Sequence, residues 1–297
     1  MSKPRERLLI ISIVALVVAA AGFFGYYLLS RYAKKNVTPV IICASDELRV
    51  SVDAPKEDLL IGVTAMDVED GDLTSSIVIE SISQFVEKGK CTITYAVCDS
   101  GNKVATVSRT LYYTDYYSPR FCLTGDLIYP AGTSVKPLAS IKAFDCLEGD
   151  ISNRISMTAV DTEEIASADS REVEFRVMNS RGDVSTFRAN IVIQEKASPN
   201  TPEIRLGLPE DGENEFQYLI YVKAGERVDP FDYIKQIRLM NVDYTLEEFI
   251  ERFGSSGISA DFDPDTQRLS NGLNIISIYC EHEGHVGSTT LYVIVED

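Results

Sequence analysis

An acidic turn occurs twice in this chain of 297 residues, and its spacing constrains the fold more than any other feature. The first copy reads Asp67-Val-Glu-Asp-Gly-Asp72, and the second reads Asp145-Cys-Leu-Glu-Gly-Asp150. Each copy follows an apolar segment that ends in Ala-x-Asp, and the equivalent residues Asp70 and Glu148 lie 78 positions apart. A period near 80 residues is too long for a solenoid repeat and suits a small β-sandwich domain. The chain is therefore predicted to be a string of similar β modules.

Each predicted module closes with a hairpin of two alternating strands. In the first module, Ile93, Tyr95 and Val97 share one face of the first hairpin strand. Such alternation indicates strands that bury one face and expose the other. The three hairpins are predicted to turn at 99–102, 179–183 and 281–285. The pattern assigns an equivalent position, at the end of the first hairpin strand, to Cys98, Met178 and Cys280.

Ser-Pro and Thr-Pro pairs mark the predicted boundaries between modules. Proline lacks an amide donor and biases the preceding residue to extended geometry, so these pairs suit linkers that lead into edge strands. Pro39 and Pro119 lie 80 positions apart, in agreement with the spacing of the acidic turns. The predicted segments are a tail (1–7), an anchor helix (8–29), a juxtamembrane linker (30–37) and β modules at 38–116, 118–196 and 200–297.

The third predicted module lacks the acidic turn and carries residues 245–254 instead. Thr245 and Glu248 form a capping-box pattern, and Gly254 is placed to end a helix. Apolar residues recur on one helical face of this segment, which predicts a short helix that packs on its own module. Because this module diverges from its siblings, we expect the binding surface on residues 200–297, with a simple terminal cap as the alternative.

Residues 8–29 form a run of 22 uncharged and mostly apolar positions, which is long enough to cross a bilayer as a helix. The run continues past Ala19-Ala20-Ala21, so we predict an uncleaved signal anchor rather than a cleaved signal peptide. The positive-inside count is tied, with Lys3, Arg5 and Arg7 before the run and Arg31, Lys34 and Lys35 after it. The six cysteines and the tandem β modules favour an extracellular C-terminal bulk. The predicted location is the cell membrane, as a single-pass protein.

The part of the chain that follows residue 36 is strongly acidic, with 22 basic and 44 acidic residues. A surface of this charge argues against binding to nucleic acid or to anionic lipid. One explanation of the acidic charge is that it keeps the protein soluble in a polyanionic envelope. The alternative is that it attracts cations or basic partners.

The repeated pattern resembles a known family. Both copies fit Ala-x-Asp-x-x-Glu/Asp-Gly-Asp-Leu/Ile-Thr/Ser, and the first continues with an alternating Tyr-x-Val strand and Asp99-Ser-Gly-Asn102. This is similar to bacterial immunoglobulin-like surface repeats, of the type also appended to a pesticidal crystal toxin, and to hyalin-type repeats. The resemblance implies an all-β fold of three tandem immunoglobulin-like β-sandwich domains after the transmembrane helix, the third with a short inserted helix. It also implies a role as spacer or binding module, and it indicates no particular ligand.

The acidic turns are weak candidates for a calcium site, since Ca²⁺ takes several oxygen ligands. The alternative is a tight turn in which the carboxylates accept hydrogen bonds from nearby amides. The candidate ligands are Asp67, Glu69, Asp70 and Asp72 in the first copy, and Asp145, Glu148 and Asp150 in the second.

Cys280, His282 and His285 are weak candidates for zinc, because they place sulfur and nitrogen donors close together. They lie in a hairpin turn with no second pair of ligands, so a solvated turn is the alternative. No cofactor is otherwise expected.

The six cysteines permit either buried free thiols or disulfides, and the sequence leaves both open. If bridges form, Cys122 and Cys146 are placed to oppose each other on antiparallel strands, and Cys43 and Cys91 both point inward.

No enzyme motif is present: the chain has no nucleophile elbow, phosphate loop or His-Glu-x-x-His sequence. We therefore expect a membrane-anchored bacterial cell-surface protein that acts by spacing and by protein binding or adhesion, without catalysis. The alternative is an envelope-assembly component or a polysaccharide-binding accessory, in which tyrosines such as Tyr112, Tyr113, Tyr116 and Tyr117 would stack on sugars. The sequence does not identify the surface protein or polysaccharide that would be the partner.

Overall fold

A computed structural model describes residues 3–33, 37–160, 170–209, 215–255 and 257–296. Its first element is the helix α1 (Lys3–Ala33). Within α1, Ile11–Leu29 has a mean hydropathy of 2.1, and none of this stretch is buried in the protein. Among the described residues it is the one helix that is long and apolar enough to cross a membrane, and it lies near the N-terminus. Lys34 and Lys35, which enter the predicted orientation count, lie outside the described residues.

The chain divides into two compact units. The first comprises Met1–Val50, Ala54–Ser83 and Cys91–Tyr112, and the second comprises Ser51–Asp53, Gln84–Lys90 and Tyr113–Asp297. The second unit contains all strands of the second and third predicted modules. The domain boundaries given by the sequence stay predictions.

The first unit contains a β sandwich. Its strands are β1 (Val40–Cys43), β2 (Glu47–Val50), β3 (Val63–Asp67), β4 (Gly71–Asp72), β5 (Val78–Ile82), β6 (Lys90–Cys98) and β7 (Val104–Tyr113). One sheet has the order β1-β3-β4 and the other has the order β2-β7-β6-β5. Ile93 and Tyr95 are 0% exposed and Val97 is 1% exposed, so the predicted alternation along β6 is confirmed.

The second unit begins with a sandwich of the same topology. Its strands are β8 (Arg120–Leu123), β9 (Ile128–Pro130), β10 (Ile141–Asp145), β11 (Gly149–Asp150), β12 (Ser156–Ala159), β13 (Ser170–Met178) and β14 (Val184–Gln194). The sheet orders are β11-β10-β8 and β12-β13-β14-β9, which match those of the first sandwich strand for strand.

The same unit continues into a third sandwich. Its strands are β15 (Glu203–Leu206), β16 (Leu219–Lys223), β17 (Ile234–Leu239), β18 (Val242–Tyr244), β19 (Ile258–Ala260), β20 (Gly272–His282) and β21 (His285–Glu296). The sheet orders are β15-β17-β18 and β16-β21-β20-β19. The fold is therefore confirmed as all-β, with an N-terminal apolar helix followed by tandem β sandwiches.

The helix inserted into the third sandwich is α2 (Leu246–Phe253), as the sequence predicts. Thr245 accepts a hydrogen bond from the amide of Glu248 at 3.2 Å, and Glu248 accepts one from the amide of Thr245 at 2.9 Å. This capping box satisfies amides that a helix start otherwise leaves without partners. Phe249 is 1% exposed and lies 6.2 Å from Tyr244, ring centre to ring centre. The apolar face of α2 thus packs on its own module.

The predicted equivalence of Cys98, Met178 and Cys280 is wrong. Cys98 is exposed and Met178 is 48% exposed, whereas Cys280 is completely buried. The reason is the length of the turn: five residues separate Met178 from its ladder partner Val184, whereas two separate His282 from its partner His285. Alignment of the turns therefore does not align the faces of the strands, and Cys280 falls on the inward face.

The second and third sandwiches share one hydrophobic core. Phe187 of β14 lies at their junction and is 2% exposed. Its ring centre is 6.1 Å from that of Phe121, 5.9 Å from Phe175 and 5.1 Å from Tyr292, which belongs to the third sandwich. Arg120 adds a second link, because its guanidinium lies over the rings of Tyr117 and Tyr221 and bonds the carboxylate of Glu296. The second unit is consequently a double module.

Candidate functional site

Both acidic turns use their first aspartate as a brace for the backbone. Asp67 Oδ1 accepts hydrogen bonds from the amides of Glu69 at 2.7 Å and Asp70 at 2.9 Å. Asp145 Oδ1 accepts the equivalent bonds from Leu147 at 2.9 Å and Glu148 at 3.1 Å. An aspartate that bonds amides two and three residues further on is the usual device for fixing a tight turn.

Most of the other carboxylates of these turns also accept hydrogen bonds from the protein. Asp72 bonds Thr74 and Asp150 bonds Ser152, and these hydrogen bonds lower the pKa of both carboxyl groups. Asp70 accepts hydrogen bonds from the amide and hydroxyl of Ser100, at 2.6 and 2.8 Å.

Glu148 has the same role in the second turn. It accepts hydrogen bonds from the Ser180 amide at 2.5 Å and from Arg154 at 2.7 Å. Partial burial raises the pKa of Glu148, but these bonds outweigh it and lower the pKa overall. Within the described ranges, no three His, Cys, Asp or Glu side chains gather into a group that could hold a metal ion. Calcium binding by the seven predicted carboxylates stays a prediction, while the structure gives turn-bracing roles to all of them except Glu69.

The predicted zinc ligands have packing roles. Cys280 is buried, and burial raises the pKa of its thiol to about 11, so the thiolate that zinc requires is disfavoured at neutral pH. The His282 ring packs against Phe253 of α2, with ring centres 4.7 Å apart. His285 lies opposite His282 in the ladder. These three residues belong to no metal-holding group in the described part of the chain.

All six cysteines are free thiols in the structure. Cys122 lies opposite Lys142 in the ladder of β8 and β10, so the expected opposition of Cys122 and Cys146 is wrong. Cys146 follows the end of β10 and donates to the carbonyl of Tyr117 at 3.3 Å.

The tyrosines that could have stacked on sugars are engaged within the protein. Tyr112 lies under the guanidinium of Arg49 at 4.5 Å, and Tyr117 lies under that of Arg120 at 4.2 Å. The rings of Tyr113 and Tyr116 meet Phe85 edge-on, at 6.4 and 4.7 Å between ring centres. Each of these aromatic rings therefore packs within its own unit.

A cleft of about 900 Å³ lies in the second unit, at the junction of its two sandwiches. Its walls are the linker around residues 194–202, the turn between β17 and β18, and the start of β21. Charged groups of both signs line it, namely Asp126, Glu203 and Arg238. Concave surfaces between packed modules that carry a few polar groups are the usual binding sites of proteins, so this cleft is the candidate functional site.

The floor of the cleft contains a carboxylate of unusual environment. Asp126 accepts a hydrogen bond from the Thr289 hydroxyl at 2.6 Å, which joins the second sandwich to the third. Although the residue is partly exposed, its carboxyl group is enclosed, and burial raises the pKa of Asp126 to about 6. Sequence reasoning did not find Asp126, because the burial is created by another module.

Replacement of Asp126 by asparagine is expected to remove a pH dependence of stability. Because the folded-state pKa is above the unfolded value of about 3.9, the native state holds the proton more tightly. The contribution of Asp126 to stability is therefore largest below pH 4 and is lost as the pH rises through 6, by up to about 3 kcal/mol. Urea unfolding of the second unit at pH 4.5 and 7.5 should show this decline in the wild type and a smaller one in Asp126→Asn. Equal pH dependence in both proteins would contradict it.

The rim of the cleft carries a strained turn. Met240 and Asn241 form the two-residue connection between β17 and β18, with φ angles of 50° and 63°. Such turns favour Asn-Gly, and a side chain such as that of methionine is rare at positive φ. The Met240 side chain is nevertheless 49% exposed, while its amide donates to the carbonyl of Pro199 in the linker at 3.0 Å. Strain of this kind concentrates at functional sites, which makes Met240 the candidate contact residue of the rim.

No family model and no curated protein sequence matches the chain. Among solved structures, it is similar to the carbohydrate-binding module CBM51-2 with INT domains of Clostridium perfringens ZmpB, in complex with GlcNAc, at 21% identity and a TM-score of 0.22. That match covers 52% of this chain and 41% of the other, so this chain spans about two fifths of that structure's length.

Two further matches cover more of the chain. The extracellular domain of protocadherin gammaB4 matches at 12% identity and a TM-score of 0.19, covering 88% of this chain and 51% of the other. The lipoprotein BT2262 of Bacteroides thetaiotaomicron matches at 11% identity and a TM-score of 0.19, covering 86% and 98%. Scores this low assign neither a family nor a ligand.

Proposed function

We propose that this chain is a membrane-anchored bacterial cell-surface protein, of the immunoglobulin-like repeat type, that binds a protein partner without catalysis. In this proposal α1 is an uncleaved anchor and the β sandwiches lie outside the cell. The first sandwich is a spacer, and the double module presents the binding cleft. The observation that carries the proposal is the cleft with its strained, exposed Met240 at the rim.

The chain order supports the location. A helix with a mean hydropathy of 2.1 over Ile11–Leu29 precedes all three sandwiches, and the part beyond residue 36 is acidic. An apolar segment of this length holds a helix in a bilayer, and long domains that follow it cross largely regardless of their charge.

The composition of the cleft supports a protein partner. The lining comes mostly from the third sandwich, which is the module that departs from the repeat. Methionine is an adaptable contact residue that suits protein-binding surfaces, and the opposite charges of Arg238 and Glu203 can orient a polar partner. Tyr218, the tyrosine that lines the cleft, is 5% exposed and offers no open ring on which a sugar could stack.

The location can be tested through a native thiol. Cys98 is exposed, so a membrane-impermeant maleimide should label the full chain on intact cells, and Cys98→Ser should be labelled less, because the other free cysteines are partly or fully buried. If the label requires permeabilised cells, the sandwiches lie inside and the proposed location is wrong.

The binding site can be tested with a pair of methionine variants. Met240→Asn removes the exposed side chain at the rim, and asparagine tolerates the positive φ, so the fold should be kept or stabilised. Met178→Asn is the matched control, since Met178 is 48% exposed and does not line the cleft. Treatment of intact cells with an impermeant crosslinker should give protein adducts of the wild type and of Met178→Asn. Adducts of Met240→Asn that equal those of the control would contradict the assignment of the cleft.

A further inference from the structure

The first two sandwiches build their last hairpin turn in the same way. In the first, Asp99 Oδ1 accepts a hydrogen bond from the Lys103 amide at 2.7 Å. In the second, Asn179 Oδ1 accepts one from the Asp183 amide at 2.9 Å. Asp99 and Asn179 therefore occupy equivalent positions, and each lies beside the acidic turn of its own sandwich. This is shown by the bonds from Ser100 to Asp70 and from Ser180 to Glu148.

In the second sandwich the buried carboxylate beside this turn receives a hydrogen-bond donor. The amide nitrogen of Asn179 donates to Asp145 Oδ2 at 2.8 Å, and it also donates to the Tyr116 hydroxyl at 2.9 Å. Asn179 and Asp145 are 2% and 4% exposed, and the bond between them satisfies Asp145 Oδ2, while backbone amides bond the Oδ1 atoms of both residues. A buried carboxylate that receives a donor in this way is stable without any further ligand.

In the first sandwich two carboxylates take these places. Asp67 replaces Asp145 and Asp99 replaces Asn179, and they are 8% and 6% exposed. Asp99 Oδ2, the atom equivalent to the Asn179 amide nitrogen, is buried and has no hydrogen-bond partner among the described residues. Lys103 follows in the turn, but its side chain is exposed and forms no ion pair in the described part of the chain. A buried carboxylate oxygen without a hydrogen-bond donor or a positive partner is unfavourable, because it has lost its hydration without compensation.

We propose that Asp67 and Asp99 bind a divalent cation of the calcium class, through the carboxylate oxygens that take the places of Asp145 Oδ2 and the Asn179 amide nitrogen. A charge of +2 balances the two carboxylates, and a hard cation takes oxygen ligands, with main-chain carbonyls and water completing the shell. The carboxyl group of Asp70, held by Ser100 in the same turn, adds negative charge nearby. The site differs from the predicted one, because Asp99 is the second protein ligand in place of Glu69, Asp70 and Asp72.

Two carboxylates place the expected dissociation constant in the range of extracellular modules, roughly 10⁻⁴ to 10⁻³ M. When the calcium concentration is ten times the dissociation constant, a ligand that binds only the folded state lowers the population of the locally open state about tenfold. Amide hydrogen exchange of the full chain in detergent should therefore slow about tenfold at 63–72 and 98–104 in 10 mM CaCl₂ relative to chelator. The equivalent segments 143–150 and 178–184 should not respond, which makes the second sandwich an internal control.

Asp99→Asn separates the proposal from a general effect of salt. The asparagine can donate to Asp67 as Asn179 donates to Asp145, so exchange in chelator should be slower than in the wild type, and the response to calcium should be lost. Glu69→Gln is the matched control, because it removes one exposed negative charge from the same turn and should keep the response. No response of the wild type, an equal response of both sandwiches, or a response retained by Asp99→Asn would overturn the proposal.

Discussion

Replacement of Gly287 by alanine is expected to be the most damaging single-methyl change in the second unit, lowering its stability by roughly 4 kcal/mol or more. A Cβ atom on Gly287 would lie 1.7 Å from the carbonyl oxygen of Pro202 and 2.8 Å from its carbonyl carbon. Both obstacles are backbone atoms, so no side-chain rotation relieves the overlap. The entry of β15 would have to move away from β21, which would open the cleft wall and expose part of the shared core.

Gly284→Ala provides the comparison for this prediction. Gly284 lies in the adjacent turn at a φ of 80°, and a Cβ there would meet nothing within 4 Å. Its replacement should therefore cost only about 1 kcal/mol, from the positive φ alone. Chemical unfolding of the two variants measures the difference. If the free energy of unfolding of Gly287→Ala lay within about 1 kcal/mol of the wild-type value, the prediction would be wrong, because the linker could then move aside without loss of packing.

The sequence predicts those features of this fold that depend on neighbouring residues. The alternation along β6 and the capping box of Thr245 and Glu248 are local patterns, and the structure confirms both. The position of Cys280 is predicted wrongly, because the number of residues in a hairpin turn changes which face a strand residue occupies.

The candidate sites are less predictable, because each depends on residues that are distant in the sequence. Acidic composition drew attention to Asp70 and Asp72, yet local donors already occupy both carboxylates. The difference between the repeats that matters for the proposed cation site is that the first has Asp99 where the second has Asn179. An alignment of the two hairpin turns shows this difference from the sequence alone. The burial of Asp126 and the constraint on Gly287 arise only when the third sandwich packs on the second. No local pattern carries that information.

Phe187→Ala is expected to destabilise the second and third sandwiches together, by about 3–5 kcal/mol. The Phe187 ring contacts aromatic rings of both sandwiches, and its removal would leave a cavity at the junction of their shared core. Amide hydrogen exchange should therefore accelerate in β13 and β14 and, to a similar degree, in β20 and β21. If the two sandwiches unfolded independently, the faster exchange would be confined to β13 and β14. That result would show that the double module is not a cooperative unit.

Leu111→Ala supplies the control for this experiment, since Leu111 is completely buried and belongs to the first unit. The substitution creates a cavity of the same kind in a different core, and it should lower the stability of the first unit by about 2–5 kcal/mol. We expect its effect on exchange to appear in β6 and β7 and to leave β20 and β21 unchanged. The contrast of the two variants thus measures cooperativity itself rather than overall stability. A cooperative double module would hold the walls of the cleft at a fixed spacing, which is the property that a binding surface between two sandwiches requires.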